Sequence, residues 1–276
     1  MTDRIHPTAL VDAHAVLAPD VIVGPYSIIE GPVVIGPGTV LHPRVHLMGP
    51  LVIGKRNVIH TNAVLGGWPQ DRKYKGEPST VVIGDDNIIR EGVTIHRGTG
   101  ANTQTTIGSR CYLMVNSHVG HNCVVSDDVT LVNGALLAGF VEVAPRAIVG
   151  GNCAMHQFCR VGRLAMISAS SSHNVDIPPF CITLRTNTIV KLNFVGLRRN
   201  GVSRDHINAL RRMFQHVFRT NRPLTATFHD LPADLETVPE VREFIDFCRL
   251  TKRGVARYIP WSAQKGMAGV DGEATE

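Results

Sequence analysis

The chain has 276 residues, 43% of them hydrophobic, enough to bury a substantial core, and it carries a formal net charge of +5. It holds no run of 18 apolar residues and no apolar stretch of signal-peptide length after Met1-Thr2-Asp3-Arg4, which points away from a membrane span or export and toward the cytoplasm. The six cysteines form no Cys-x-x-Cys pair, so reduced buried thiols are expected rather than a disulfide framework or structural zinc, and the basic charge without interleaved aromatics points to an acidic or phosphorylated partner rather than nucleic acid.

From Ile5 the chain repeats with a period of six. Ile, Val, Leu or Met recurs at every sixth position as far as Ile167, with Asp71, Glu77 and Ala101 as the exceptions. Four residues after each marker the side chain is usually small or β-branched, as at Ala63, Ser117, Ala135 and Ala165, and Cys111, Cys123, Cys153 and Cys159 share that slot. Six matches neither a 3.6-residue helix nor a simple alternating strand. It matches a short strand and a tight turn, with the marker inward and the small residue in the corner. Three such units close one triangular coil, so the repeat predicts a parallel β-helix of about eight coils, roughly 40 Å long.

Two stretches interrupt the repeat and keep its frame, at 68–80 and at 98–105. Counting hexads with these loops omitted places both at the same corner, one coil apart. The same count stacks His96, His121, Gly139, and His156 with Gln157 along that corner in successive coils, and His118 lies beside it. His6, His14, His42, His46 and His60 read as structural or surface residues. The first loop, Trp68 to Pro78, is rich in charge, and a rigid scaffold would hold it over the histidines, where Asp71 and Lys73 suit a polar substrate. His121 is the candidate catalytic base.

At Asp176-Ile177-Pro178-Pro179 the frame ends, because proline cannot continue the ladder. From about Thr188 the spacing predicts a helix over Ile189–Asn200 stopped by Gly201, a second capped by Ser203, and a third over about Val238–Lys252. The expected division is a β-helix over 1–187 with loops at 68–80 and 98–105, a small α-helical C-terminal domain over 188–258, and a flexible tail over 259–276. Arg198, Arg199, Arg204, Arg211, Arg212, Arg219 and Arg222 make the helical part basic, suited to an acidic carrier or a diphosphate.

Ile95-His96-Arg97-Gly98, His118-x-x-His121, Ala138-Gly139, His156-Gln157-Phe158, Gln70-Asp71-x-Lys73-Tyr74-x-Gly76-Glu77-Pro78 and Gly196-Leu197-Arg198-Arg199 together closely resemble the UDP-N-acetylglucosamine O-acyltransferases, from Ile5 to about Gly254. The resemblance implies a left-handed parallel β-helix of hexapeptide repeats, a homotrimer with sites between subunits, and a 3-hydroxyacyl group delivered by acyl carrier protein to a UDP-sugar for lipid A synthesis. It implies no cofactor and no metal beyond the thioester co-substrate. By the same resemblance His121 is the general base and the Gly139 N–H stabilises the oxyanion. Gln70, Asp71, Lys73, His96, His118, His156 and Gln157 hold the sugar nucleotide, Asn193 and Arg199 contact nucleotide or pantetheine, and Ala169 limits acyl length from another corner, across a subunit interface.

The chain departs from the family pattern where Asn122 replaces the usual Asp after the catalytic His, Phe140 replaces a His after the oxyanion glycine, and Val195 and Asn200 replace charged residues. A related N-acyltransferase acting on an amino-sugar nucleotide, a β-helical zinc carbonic anhydrase and a non-catalytic solenoid are the alternatives.

Overall fold

Most hexads fold as a strand of two or three residues and a corner, and the marker side chains stack inside the coil at 0–2% exposure over most of its length. Each buried aliphatic contributes about 1.5–3 kcal/mol through removal of its surface from water. At most corners the third residue after the marker lies in the left-handed region, with φ of 57° at Asn116, 60° at Asn122, 61° at Phe140 and 65° at Phe158. Gly120 sits where the coils press together: a methyl there would lie 2.8 Å from the Leu137 carbonyl oxygen.

The structure, a computed structural model, describes residues 4–218 and 222–260. Among the described residues three sheets, parallel throughout the repeat, form the faces of the prism, with nine, eight and eleven strands. The first face carries Thr94, His118, Leu136, Ala154 and Ser172 in one outward register, and Ile95, Val119, Leu137, Met155 and His173 in the inward one. Both loops leave the corner between the first and second faces: strand Val64–Gly67 enters the first loop and Ser79–Ile83 leaves it, while Thr94–His96 and Thr103–Ile107 bracket the second. The expected loop ends at 80 and 105 therefore already belong to strands.

The third face continues beyond the repeat with Cys181–Arg185 paired antiparallel to Thr188–Leu192, and Arg257–Tyr258 adds a parallel strand. This corrects the helix expected from Ile189: Thr188-Ile189-Val190 is β-branched and buried, and it gains a ladder partner that a helix would forgo. The expected boundary at 187/188 cuts this hairpin, and helical structure starts at α1 (Phe194–Arg199). Four helices follow: α2 (Arg204–Phe218), α3 (Leu224–His229), α4 (Ala233–Glu236) and α5 (Pro239–Arg249). As expected, the Ser203 hydroxyl accepts a hydrogen bond at the start of α2, from the His206 N–H at 3.2 Å. Ile259, placed in the expected tail, still donates its N–H to the Ile189 carbonyl at 3.0 Å; the rest of that tail from 261, and Arg219, lie outside the described residues.

One buried carboxylate fastens the helices to the last coil. Asp176 accepts from the Arg160 backbone N–H at 2.8 Å, from Arg160 Nε and Nη2 at 3.0 and 2.8 Å, and from the Thr251 hydroxyl at 2.8 Å. Arg160 also donates to the Phe247 carbonyl of α5 at 2.8 Å, and its guanidinium lies 4.3 Å from the Phe247 ring centre.

Candidate active site

His118, Gly120, His121 and Gly139 line an open cavity of about 490 Å³ on the first face, together with His96, Gln70 and Gln157. Leu136, Leu137, Ala138, Ala154 and Met155 floor it with apolar surface. The register of the coil accounts for the gathering. Residues 18 or 24 apart in sequence come to lie one above the other.

His121 is buried, and its ring lies directly over Gly139. A methyl on Gly139 would press on His121 Cε1 and lie 2.5 Å from Nε2, so glycine is what admits the ring. The Nδ1 of His121 is 2.9 Å from Asn122 Oδ1. A carbonyl oxygen only accepts, so Nδ1 carries the proton of this bond, and in the neutral ring Nε2 keeps its lone pair. On its other side His121 meets Phe140 edge-to-face at 5.2 Å, and Phe140 stacks on Phe158 at 4.7 Å. The Gly139 N–H donates to no acceptor among the described residues.

His96 and His118 stand edge-to-face at 4.9 Å. The Nδ1 of His118 is 2.7 Å from the Thr94 hydroxyl. Burial, with His118 and His121 nearby, pushes His96 down to about 4, and burial with His121 lowers His118. Both rings are therefore neutral near pH 7, able to donate or accept hydrogen bonds without attracting a counterion. The Nδ1 of His96 is buried with no hydrogen-bond partner among the described residues. Asp71 accepts the Lys73 N–H at 2.9 Å, and that bond is the main reason its carboxyl stays below the usual carboxylate range.

The other sequence-predicted residues lie farther out. Lys73 is on the exposed first loop. His156 turns to a second cavity of about 410 Å³ with Ser172, His173, Asn174 and Thr186, and Arg253 donates to its Nδ1 at 3.1 Å. Asn193 caps α1: its Oδ1 accepts the Gly196 N–H at 2.9 Å and its Nδ2–H donates to the Leu164 carbonyl at 2.9 Å. Arg199 is exposed at the end of α1, and Ala169 is exposed in the bend between the third and first faces. Within one chain these three line neither cavity.

Sequence reasoning missed Thr99, Thr94 and Arg253. Thr94 was recoverable from the repeat, since it lies one coil before His118 in the outward register. Thr99 lies in a loop and Arg253 beyond the repeat, where no period places them. Among the described residues no group of three or more His, Cys, Asp or Glu is placed to hold a metal ion.

Comparison with known proteins agrees with this geometry. The profile described as "Udp N-acetylglucosamine O-acyltransferase; Domain 2" matches residues 176–256, and that of the bacterial transferase hexapeptide, six repeats, matches 32–67. The acyl-[acyl-carrier-protein]--UDP-N-acetylglucosamine O-acyltransferase of Alkalilimnicola ehrlichii is 47% identical over 92% of this chain and 99% of its own length. That of Aliivibrio fischeri is 46% identical over 93% and 98%. The crystal structure of the UDP-N-acetylglucosamine O-acyltransferase of Moraxella catarrhalis superposes with a TM-score of 0.86 at 37% identity, covering 93% of this chain and all of that one. The prism is thus the left-handed parallel β-helix of these enzymes, with a small helical C-terminal part.

Proposed function

This chain belongs to the UDP-N-acetylglucosamine O-acyltransferase family, and we propose that it moves a 3-hydroxyacyl group from acyl carrier protein to the 3-hydroxyl of UDP-N-acetylglucosamine, in lipid A synthesis. The observation that carries this reading is the placement of His121: an imidazole with its proton on Nδ1, its Nε2 turned to a cavity, and a glycine packed against it.

The chemistry follows from those positions. Nε2 of His121 takes the proton of the sugar 3-hydroxyl as that oxygen attacks the thioester carbonyl carbon, general base catalysis contributing about 10²–10⁴ in rate. The carbonyl π pair moves onto oxygen, and the Gly139 N–H donates to the developing oxyanion, a bond of about 3–4 kcal/mol in such sites. Collapse of the tetrahedral intermediate breaks the C–S bond. The imidazolium returns its proton to the departing pantetheine sulfur.

The remaining assignments are part of the same reading. His96, His118, Gln70, Asp71 and Gln157 hold the sugar nucleotide from the cavity wall and first loop, with Lys73 on the exposed loop and His156 in the adjoining cavity. The apolar floor of Leu136, Ala154 and Met155 suits an acyl chain. Asn193, Arg199 and Ala169 reach a site only when a neighbouring copy supplies it, which accords with a homotrimer. No cofactor is required beyond the carrier-bound thioester. No helix among the described residues is long and apolar enough to cross a membrane.

Mass spectrometry after incubation with UDP-N-acetylglucosamine and a panel of 3-hydroxyacyl carrier proteins tests the reading. The expected product is an O-acyl sugar nucleotide that hydroxylamine cleaves. Product formed only with a 3-amino sugar nucleotide, as a hydroxylamine-stable amide, would overturn the hydroxyl acceptor.

A further inference from the structure

The residue after His121 is Asn122, where the resemblance to the family implies an Asp. We propose that Asn122 and Thr99 form an uncharged two-way clamp that positions His121 and locks the second loop to it, so that this chain needs an amide at 122 and not a carboxylate. The inference rests on the acyl-transfer reading for its kinetic consequence, and on geometry alone for the clamp.

Asn122 holds the corner conformation at φ 60°, which Asn and Asp both tolerate, so the backbone does not select between them. The hydrogen bonds do. Its Oδ1 accepts from His121 Nδ1 at 2.9 Å and from the Thr99 N–H at 2.9 Å. Its Nδ2–H donates back to the Thr99 carbonyl at 3.3 Å. An amide supplies an acceptor with two lone pairs and a donor on the same side chain, which these three bonds require. A carboxylate has no donor, so Asp at this position would set an anionic oxygen against the Thr99 carbonyl.

The clamp is anchored at both ends. The Asn122 N–H donates to the Thr105 hydroxyl at 2.8 Å, and the Thr103 hydroxyl donates to the Thr99 and Gly100 carbonyls at 3.0 and 2.8 Å. One side chain thereby joins the second loop to His121, while the Thr103 hydroxyl and the Thr99 bond to Asp71 also hold that loop. Asn122 acts through His121 and is a positioning residue. Thr99 acts through Asn122.

The experiment combines three readouts on the full chain: steady-state kinetics, long-range ¹H–¹⁵N spectra of ¹⁵N-histidine-labelled protein, and hydrogen exchange across residues 97–102. The native chain is expected to show His121 protonated on Nδ1. Asn122→Ala is expected to shift His121 toward the Nε2–H form, speed exchange in the loop, and lower kcat about 10- to 100-fold with little change in the sugar-nucleotide KM. Asn122→Asp is expected to keep the Nδ1–H form yet speed loop exchange and lower kcat about tenfold or more. Asn122→Asp with native kcat and native loop exchange would overturn the proposal, as would Asn122→Ala that leaves the tautomer unchanged. If the native chain transfers no acyl group to UDP-N-acetylglucosamine, the acceptor reading fails, while the tautomer and exchange results still decide the clamp.

Discussion

Replacing Gly139 by Ala isolates the packing that sets His121 from every other contribution at this corner. Gly139 does not use the left-handed region, so a methyl brings no backbone strain, and its N–H is retained. The added carbon would press on Cε1 of His121 and lie 2.5 Å from Nε2, about 1 Å inside ordinary van der Waals contact. The ring must move by about that much. A displacement of about 1 Å at a reacting group costs on the order of 10²-fold in rate. Gly139 lies at an open cavity wall, so the melting temperature should change by no more than a few degrees. Steady-state kinetics of Gly139→Ala should therefore give kcat reduced about 100-fold in a fully folded protein. A kcat within twofold of the native value would refute the argument that glycine is present to admit the imidazole.

Phe140→Ala removes the edge contact at 5.2 Å that steadies His121 on its other face. Aromatic pairs contribute about 0.5–1.5 kcal/mol beyond area, so kcat should fall several-fold while Phe140→Tyr stays near native; equal rates for both would show that the ring does not matter. Asp176→Ala removes the buried carboxylate that pairs with Arg160, whose guanidinium is 21% exposed and keeps the Phe247 carbonyl, and should lower unfolding free energy in urea by about 3 kcal/mol; a loss under 1 kcal/mol would show the hub to be dispensable. Stability should also fall with acid in a window fixed by His96 and His173, each pushed down to about 4, in both cases by burial above all. Their folded values lie below the ordinary value near 6.5, so the unfolded chain takes up protons first. Stability is complete above about pH 6.5 and declines from there toward pH 4, by about 2–4 kcal/mol in total between pH 7 and 5. Denaturation midpoints that stay level over that interval would contradict the burial of these two rings.

The solenoid was legible because its signal is strictly periodic. Ile95, Val119, Leu137 and Met155 lie in one inward register, and the frame kept across the two gaps put both loops on the same corner. That count also placed His96, His121 and Gly139 together, since stacking residues three hexads apart needs only the repeat. The reading weakened wherever tertiary partners decide. Thr188–Leu192 has a spacing that suits a helix, and becomes a strand because Cys181–Arg185 lies beside it. Asn193 was expected to contact nucleotide or pantetheine, and within one chain its amide caps α1 and bonds the Leu164 carbonyl. The sequence marks Asn122 as a departure. Its significance depends on Thr99, which a loop without a period positions 2.9 Å away.

The most direct test of the central claim is single-turnover acyl transfer by His121→Ala, with the sugar product quantified by mass spectrometry and folding confirmed by thermal melting. Loss of the base predicts a rate reduced about 10²–10⁴-fold in a chain that melts as the native one does. Transfer at the native rate by His121→Ala would contradict the assignment of His121 as the group that takes the proton.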